Sequence, residues 1–219
     1  MRVVFGCGDS LSPLQEQSKS SERVRLVTEQ IEVAKRLTQA DHEATGEVSG
    51  DIKAFLLTLT VPNFSKGSLQ EQSSIFRDRT SKFIKALTDG ASRKNGLQLV
   101  GDGIFLGGLV SFELTLNRDA VLNKSTRNLF NYHAHLLILA DDDIDLDATK
   151  DVLFKKWQAL NNDRSLNKKA FDLQRAADEK GKSIDATTSA VLEVVKYAVK
   201  PSDWSLLDKI ENDVWQQQV

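Results

Sequence analysis

The chain has almost no cysteine. One residue among 219, Cys7, excludes an internal disulfide framework and any cysteine-rich zinc site. No apolar run approaches the ~20 residues needed to cross a bilayer. The start, Met1-Arg2-Val3-Val4-Phe5-Gly6, lacks the long apolar segment and small-residue cleavage site of a secretory signal. These absences predict a cytoplasmic protein with no membrane partner. A basic excess is missing too. The formal net charge is −2 and the pI is about 6.0, whereas a duplex-DNA binder usually shows visible positive charge. That balance argues against binding by bulk charge and leaves room for a local basic surface.

The charges that are present are unevenly placed. Arg77, Arg79, Lys82, Lys85, Arg93 and Lys94 crowd one stretch, against Asp78 and Asp89. Asp141, Asp142, Asp143, Asp145, Asp147 and Asp151 crowd another. Solvated surface is the plain reading of both, with nucleic-acid contact the alternative for the basic one. Composition is otherwise that of a globular protein, 40% hydrophobic and 27% charged. The length fits one domain, or one domain with an extension. Residues 1–50 read as a leader and a helix packed on the core, and residues 51–219 as the domain.

Periodicity predicts a helix over 23–40, a polar loop holding His42, and a strand over 54–61 stopped by Pro62-Asn63. An amphipathic helix follows over 69–88, ended by Asp89-Gly90, then strands over 109–117 and 131–140. A helix over 148–160, a short strand over 169–177, a helix over 186–200 capped by Asp185 and ended by Pro201, and a last helix over 205–216 complete the chain. That order gives an α+β fold of the ferredoxin-like plan, an antiparallel sheet with its helices mainly on one face.

Alternation along the strands separates two faces. Phe55, Leu57, Leu59 and Val61 share one with Phe112, Leu114, Leu116, Ala134, Leu136 and Ile138. Thr58, Thr60, Ser111, Glu113, Thr115, His133 and His135 share the other. His-x-His sets two imidazoles about 6–7 Å apart along one strand face. Two such nitrogens and a carboxylate from the neighbouring strand can form a three-ligand face for a divalent ion, with positions left for a substrate oxygen. Histidines that only exchange hydrogen bonds are the competing reading. On the helix over 186–200, Glu193, Tyr197 and Lys200 fall on one broad face, with Lys196 alongside. A plain amphipathic helix with an interface tyrosine accounts for that pattern. So does a nucleophilic tyrosine with a lysine to orient phosphate and a glutamate as general base.

Three blocks taken in order resemble the motifs of the single-tyrosine plasmid rolling-circle replication initiators, a branch of the His-hydrophobic-His endonucleases. They are FLLTLTVPN (55–63), FELTLN with NYHAHLLIL (112–139), and EVVKYAVKPSD (193–203). The resemblance implies a fold of that superfamily and a metal-dependent DNA nickase. It implies His133, His135 and Glu113 as ligands of Mn²⁺ or Mg²⁺, and Tyr197 as the nucleophile. Glu193 would activate water for termination, and Lys196 and Lys200 match the family's lysines. It also implies single-stranded or hairpin origin DNA as substrate, with host helicase and polymerase as partners. Thr58, Thr60, Phe130, Tyr132, Arg77, Lys82 and Lys85 are the candidate DNA contacts.

The chain departs from the family twice. The upstream cysteine cluster of many members is reduced to Cys7, and Asn131-Tyr132 stands where the metal motif often begins His-Pro. Rival readings are a mobilisation relaxase or single-tyrosine transposase, and a non-catalytic ferredoxin-like nucleic-acid-binding module. The last usually carries exposed aromatics on its strands, where this chain has Thr, Glu and His.

Overall fold

A computed structural model describes residues 22, 24–33, 36–37, 40, 44, 52–62, 68–90, 96–97, 105–116, 130–141, 144–163, 166–176 and 186–199. Helix α1 covers residues 24–33. It is followed by β1 (Ile52–Pro62), α2 (Leu69–Asp89), β2 (Phe105–Leu116), β3 (Phe130–Asp141), α3 (Leu146–Asn161), β4 (Phe171–Arg175) and α4 (Ala186–Val199). The expected leader before residue 22, the His42 loop, the Asp185 cap and the helix over 205–216 lie outside the described residues. None of the described helices is long and apolar enough to cross a membrane.

Local sequence sets the helix ends. Ser68 opens α2 with a capping box, its hydroxyl accepting from the Glu71 N–H while the Glu71 carboxylate accepts from the Ser68 N–H. Gly90 closes it at φ 56°, a conformation that suits glycine. Asp145 caps α3, and Asn162 ends it in the left-handed region. The aspartate-rich stretch is therefore partly structural: Asp145 is a cap, and Asp151 pairs with Lys168 at 2.7 Å.

The sheet order is β2-β3-β1-β4 with every neighbouring pair antiparallel. That is the order of a split β-α-β unit repeated once, compatible with the ferredoxin-like plan. Strand β1 runs from 52 to 62, and β2 begins at 105 with an irregularity between Phe105 and Gly107. A Cβ at Gly108 would collide with the Leu137 carbonyl oxygen, so glycine permits the close approach of β2 to β3 there. The short β4 is preceded by a 3₁₀ turn over Lys168–Ala170.

Helices α2 and α3 cover one face. Phe55, Leu57, Leu59, Tyr132, Ala134, Leu136 and Ile138 pack there against Phe76, Phe83, Leu153 and Trp157. Phe76 and Phe83 each meet the Trp157 ring edge-on, at centroid distances of 6.0 and 5.9 Å. Arg79 ties the two helices by donating to Asn161 at 3.0 Å, and desolvation lowers its pKa.

The expectation that helices lie mainly on one face is corrected. Val27 and Ile31 of α1 and Ala190, Val191 and Val194 of α4 pack on the opposite face, against Ala54, Leu109, Leu137 and Leu139. The cause is written in β3. Residues 136–140 read LLILA and are buried without a break, the pattern of a strand covered on both sides.

Candidate active site

The register lays out the α4-covered face in rows that cross β1, β3 and β2. One row is Leu56, Leu137 and Leu109. The next is Thr58, His135 and Ser111, followed by Thr60, His133 and Glu113. Asn131 and Thr115 pair in the row beyond. The face thus changes from leucine to polar residues between two adjacent rows, on three strands at once. Helix α4 packs on the leucine side of this boundary.

The polar rows form a connected network. The His133 ring lies between two hydroxyls, with Nδ1 3.0 Å from Thr60 Oγ1 and Nε2 2.9 Å from Thr115 Oγ1. The His135 ring lies between a hydroxyl and a carboxylate. Its Nδ1 is 3.2 Å from Thr58 Oγ1, and its Nε2–H donates to Glu113 Oε2 at 3.2 Å. His135 is buried, while His133, Glu113 and the three threonines are half-buried. Next to them Ser111 is 7% exposed, and its hydroxyl has no hydrogen-bond partner.

Two imidazoles and a carboxylate are a suitable donor set for Mn²⁺ and related ions. The rings lie nearly parallel, with centroids 6.0 Å apart and planes 15° apart. Nitrogens that share an ion at about 2.1 Å each must approach to within about 4 Å. Binding therefore requires the rings to tilt toward each other and at least one Nε2 contact to open. As the side chains lie, no group of three or more His, Cys, Asp or Glu among the described residues can hold an ion. The orphaned Ser111 hydroxyl, directly across from His135, is a further oxygen available to a guest in this row. The residue types suit a divalent cation, and holding one would take that tilt.

The tyrosine motif falls on α4. Glu193 is half-buried on that helix. Tyr197 and Lys196 belong to α4 by their backbone, and Lys200 lies outside the described residues. The helix carrying Tyr197 and the strand carrying the histidines therefore share one face of the sheet.

The expected DNA contacts fall into three groups. Phe130 and Tyr132 are each 3% exposed, and Tyr132 sits among the α2/α3 core residues with its ring 5.6 Å from that of Phe76. Their even numbers place them with Ala134 and Leu136, so they offer no surface to DNA; burial also pushes the Tyr132 phenol up to about 12. Arg77, Lys82 and Lys85 are exposed on α2, across the sheet from the histidines. Arg77 lies over the Phe112 ring at 5.1 Å, Lys82 pairs with Asp78 at 2.7 Å, and Lys85 pairs with Asp89 at 3.3 Å. They do not line one groove with the histidine pair, because the sheet stands between. Thr58 and Thr60 do join the site, as hydrogen-bond partners of the rings. Thr115 and Ser111 belong to it as well; alternation put them on the right face, but only the register reveals which histidine each one meets.

Compared with protein-family models, curated proteins and solved structures, the chain matches none of them.

Proposed function

We propose that the chain is a rolling-circle replication initiator that nicks single-stranded origin DNA through Tyr197. The observation that supports this most is the packing of α4, the helix of Glu193 and Tyr197, on the face that bears His133 and His135. A strand motif and a helix motif more than fifty residues apart in sequence thereby come to one side of the sheet.

In this reading His133, His135 and Glu113 hold Mn²⁺ or Mg²⁺. When bound, the ion supplies Lewis-acid neutralisation of the charge that develops on the scissile phosphate. The Tyr197 phenolic oxygen attacks phosphorus in line, and its proton passes to solvent or a base. The bond to the 3′ oxygen breaks, and that oxygen takes a proton. A 5′-phosphotyrosine ester and a free 3′ hydroxyl result, the latter a primer for a host polymerase working with a host helicase. Lys196 and Lys200 act as point charges toward the phosphate. With one such tyrosine, a second cleavage needs a different nucleophile, and Glu193 supplies it by activating water.

The parallel rings, with side-chain partners on their nitrogens, favour a second reading. There the histidines are a polar network within a non-catalytic nucleic-acid-binding module. One experiment separates the two. The chain is incubated with a pool of single-stranded hairpin oligonucleotides and Mn²⁺, and adducts are sought on a denaturing gel. The nickase reading expects a covalent adduct that Tyr197→Phe abolishes. An equal yield of adduct from Tyr197→Phe, or none from the parent chain, leaves the binding module standing.

A further inference from the structure

Thr58 and Thr60 stand directly across from His135 and His133 in the β1–β3 register. Their hydroxyls meet the same atom of each ring, Nδ1, at 3.2 and 3.0 Å. With Nδ1 held on the β1 side, each ring turns Nε2 toward β2, where Glu113 and Thr115 stand. A Thr-x-Thr strand thus sets the orientation of a His-x-His strand.

The two rings are not in equivalent states. An ionised carboxylate only accepts hydrogen bonds, so the Nε2 of His135 carries the proton it shares with Glu113. In neutral His135 the lone pair is then on Nδ1, and Thr58 donates to it. A cation requires the other tautomer, with the lone pair on Nε2 and the proton on Nδ1 given to an outer acceptor. A hydroxyl both donates and accepts, so Thr58 satisfies either tautomer by rotating about one bond. A carboxylate at that position could only accept, and a valine could do neither.

We propose that Thr58 and Thr60 are positioning residues whose hydroxyls turn both imidazole Nε2 atoms toward β2, that of His135 onto Glu113 and that of His133 onto Thr115, and let His135 present its Nε2 lone pair to a divalent cation. The inference rests on the reading that these histidines and Glu113 hold such an ion. In the ion-free protein, the His135–Glu113 hydrogen bond closes the site on itself. With an ion at Nε2 the ring proton would have to sit on Nδ1, and Thr58 would accept it where it now donates. The net protonation of the ring is unchanged.

The test uses the full chain and needs no DNA. Long-range ¹H–¹⁵N correlation of the histidine side chains reads the tautomer, first without metal and then with Mg²⁺. Electron paramagnetic resonance of free Mn²⁺ reads affinity. The expected result is an Nε2–H His135 without metal and an Nδ1–H His135 with it. Thr58→Val should weaken Mn²⁺ binding by roughly 10–100-fold, the usual effect of losing an outer-shell partner. Thr58→Ser should restore most of the affinity, which guards against a folding defect in the valine variant, and Thr60→Val should act similarly through His133. Parent-like Mn²⁺ affinity in Thr58→Val overturns the proposal. So does an Nδ1–H His135 before metal is added, or a parent chain that binds no divalent ion. Binding with the tautomer change but without a DNA adduct sustains the proposal and sinks the nickase reading instead.

Discussion

On the face covered by α2 and α3, side chains from all four strands meet Phe76, Phe83 and Trp157 in one dry cluster. On the other face β1, β2 and β3 bury Ala54, Leu109, Leu137 and Leu139 under α1 and α4, then switch to Thr, Ser, His and Glu. The first face is continuous and aromatic. The second is divided, and its polar half holds an unpartnered hydroxyl. The difference teaches how this fold separates apolar burial from its polar network. Period-two alternation lets one strand serve both faces, so a polar network can occupy one side while the other supplies most of the apolar burial.

The largest expected effect tests that division from the apolar side. Trp157 is fully buried, in T-shaped contact with Phe76 and Phe83. Its indole N–H finds no acceptor, so its contribution comes from packing. Trp157→Ala should cost about 3–5 kcal/mol in urea unfolding. A loss below about 1 kcal/mol, the range of ordinary surface changes, would mean that the α2/α3 face is not the main core.

Much of this contrast was legible in the sequence, and the parts that were not share a cause. Alternation in FLLTLTV and FELTL separates the two faces, and it places Glu113 with His133 and His135. The same alternation, carried back two steps from Ala134, puts Tyr132 and Phe130 on the apolar side, where they are buried. Reading them as DNA contacts set aromatic chemistry above strand parity. The unbroken LLILA of β3 signalled cover on both faces, against the expectation of helices on one. Hidden from the sequence was the pairing register. Whether Thr58 meets His133 or His135 depends on how β1 slides against β3, and a slip of two residues preserves every face while exchanging every partner. The i,i+4 pairing of Lys82 with Asp78, by contrast, needs only helix geometry.

A smaller effect sharpens the dry side by titration. The chain has two tyrosines, so in Tyr197→Phe the ultraviolet tyrosinate signal reports Tyr132 alone. Burial should hold the Tyr132 phenol protonated until about 12, above the ordinary range of a tyrosine. The unfolded chain releases that proton near 10 and the folded chain keeps it longer. In that window the folded state binds more protons, so stability is full below it and falls as pH rises through it. A tyrosinate signal rising near pH 10 with the fold intact would show that water reaches this phenol, and that the aromatic face is less dry than its packing implies.

The smallest effect concerns the boundary row of the divided face, and its sign is what matters. Ser111 lies directly across from His135, between the leucine row and the Glu113 row, with a buried hydroxyl that has no partner. An unmet hydrogen-bonding group in such a place costs stability. Ser111→Ala should therefore raise the unfolding free energy, by about 1 kcal/mol, measured by the same urea titration as Trp157→Ala. A gain there, beside a loss at Trp157, would show that the sheet carries an avoidable penalty in its polar rows. Natural chains retain such penalties at functional positions more readily than in cores. A loss instead would mean that the hydroxyl is satisfied in solution by water. The polar rows would then be a hydrated network complete in itself, and the comparison between the faces would be one of wet against dry.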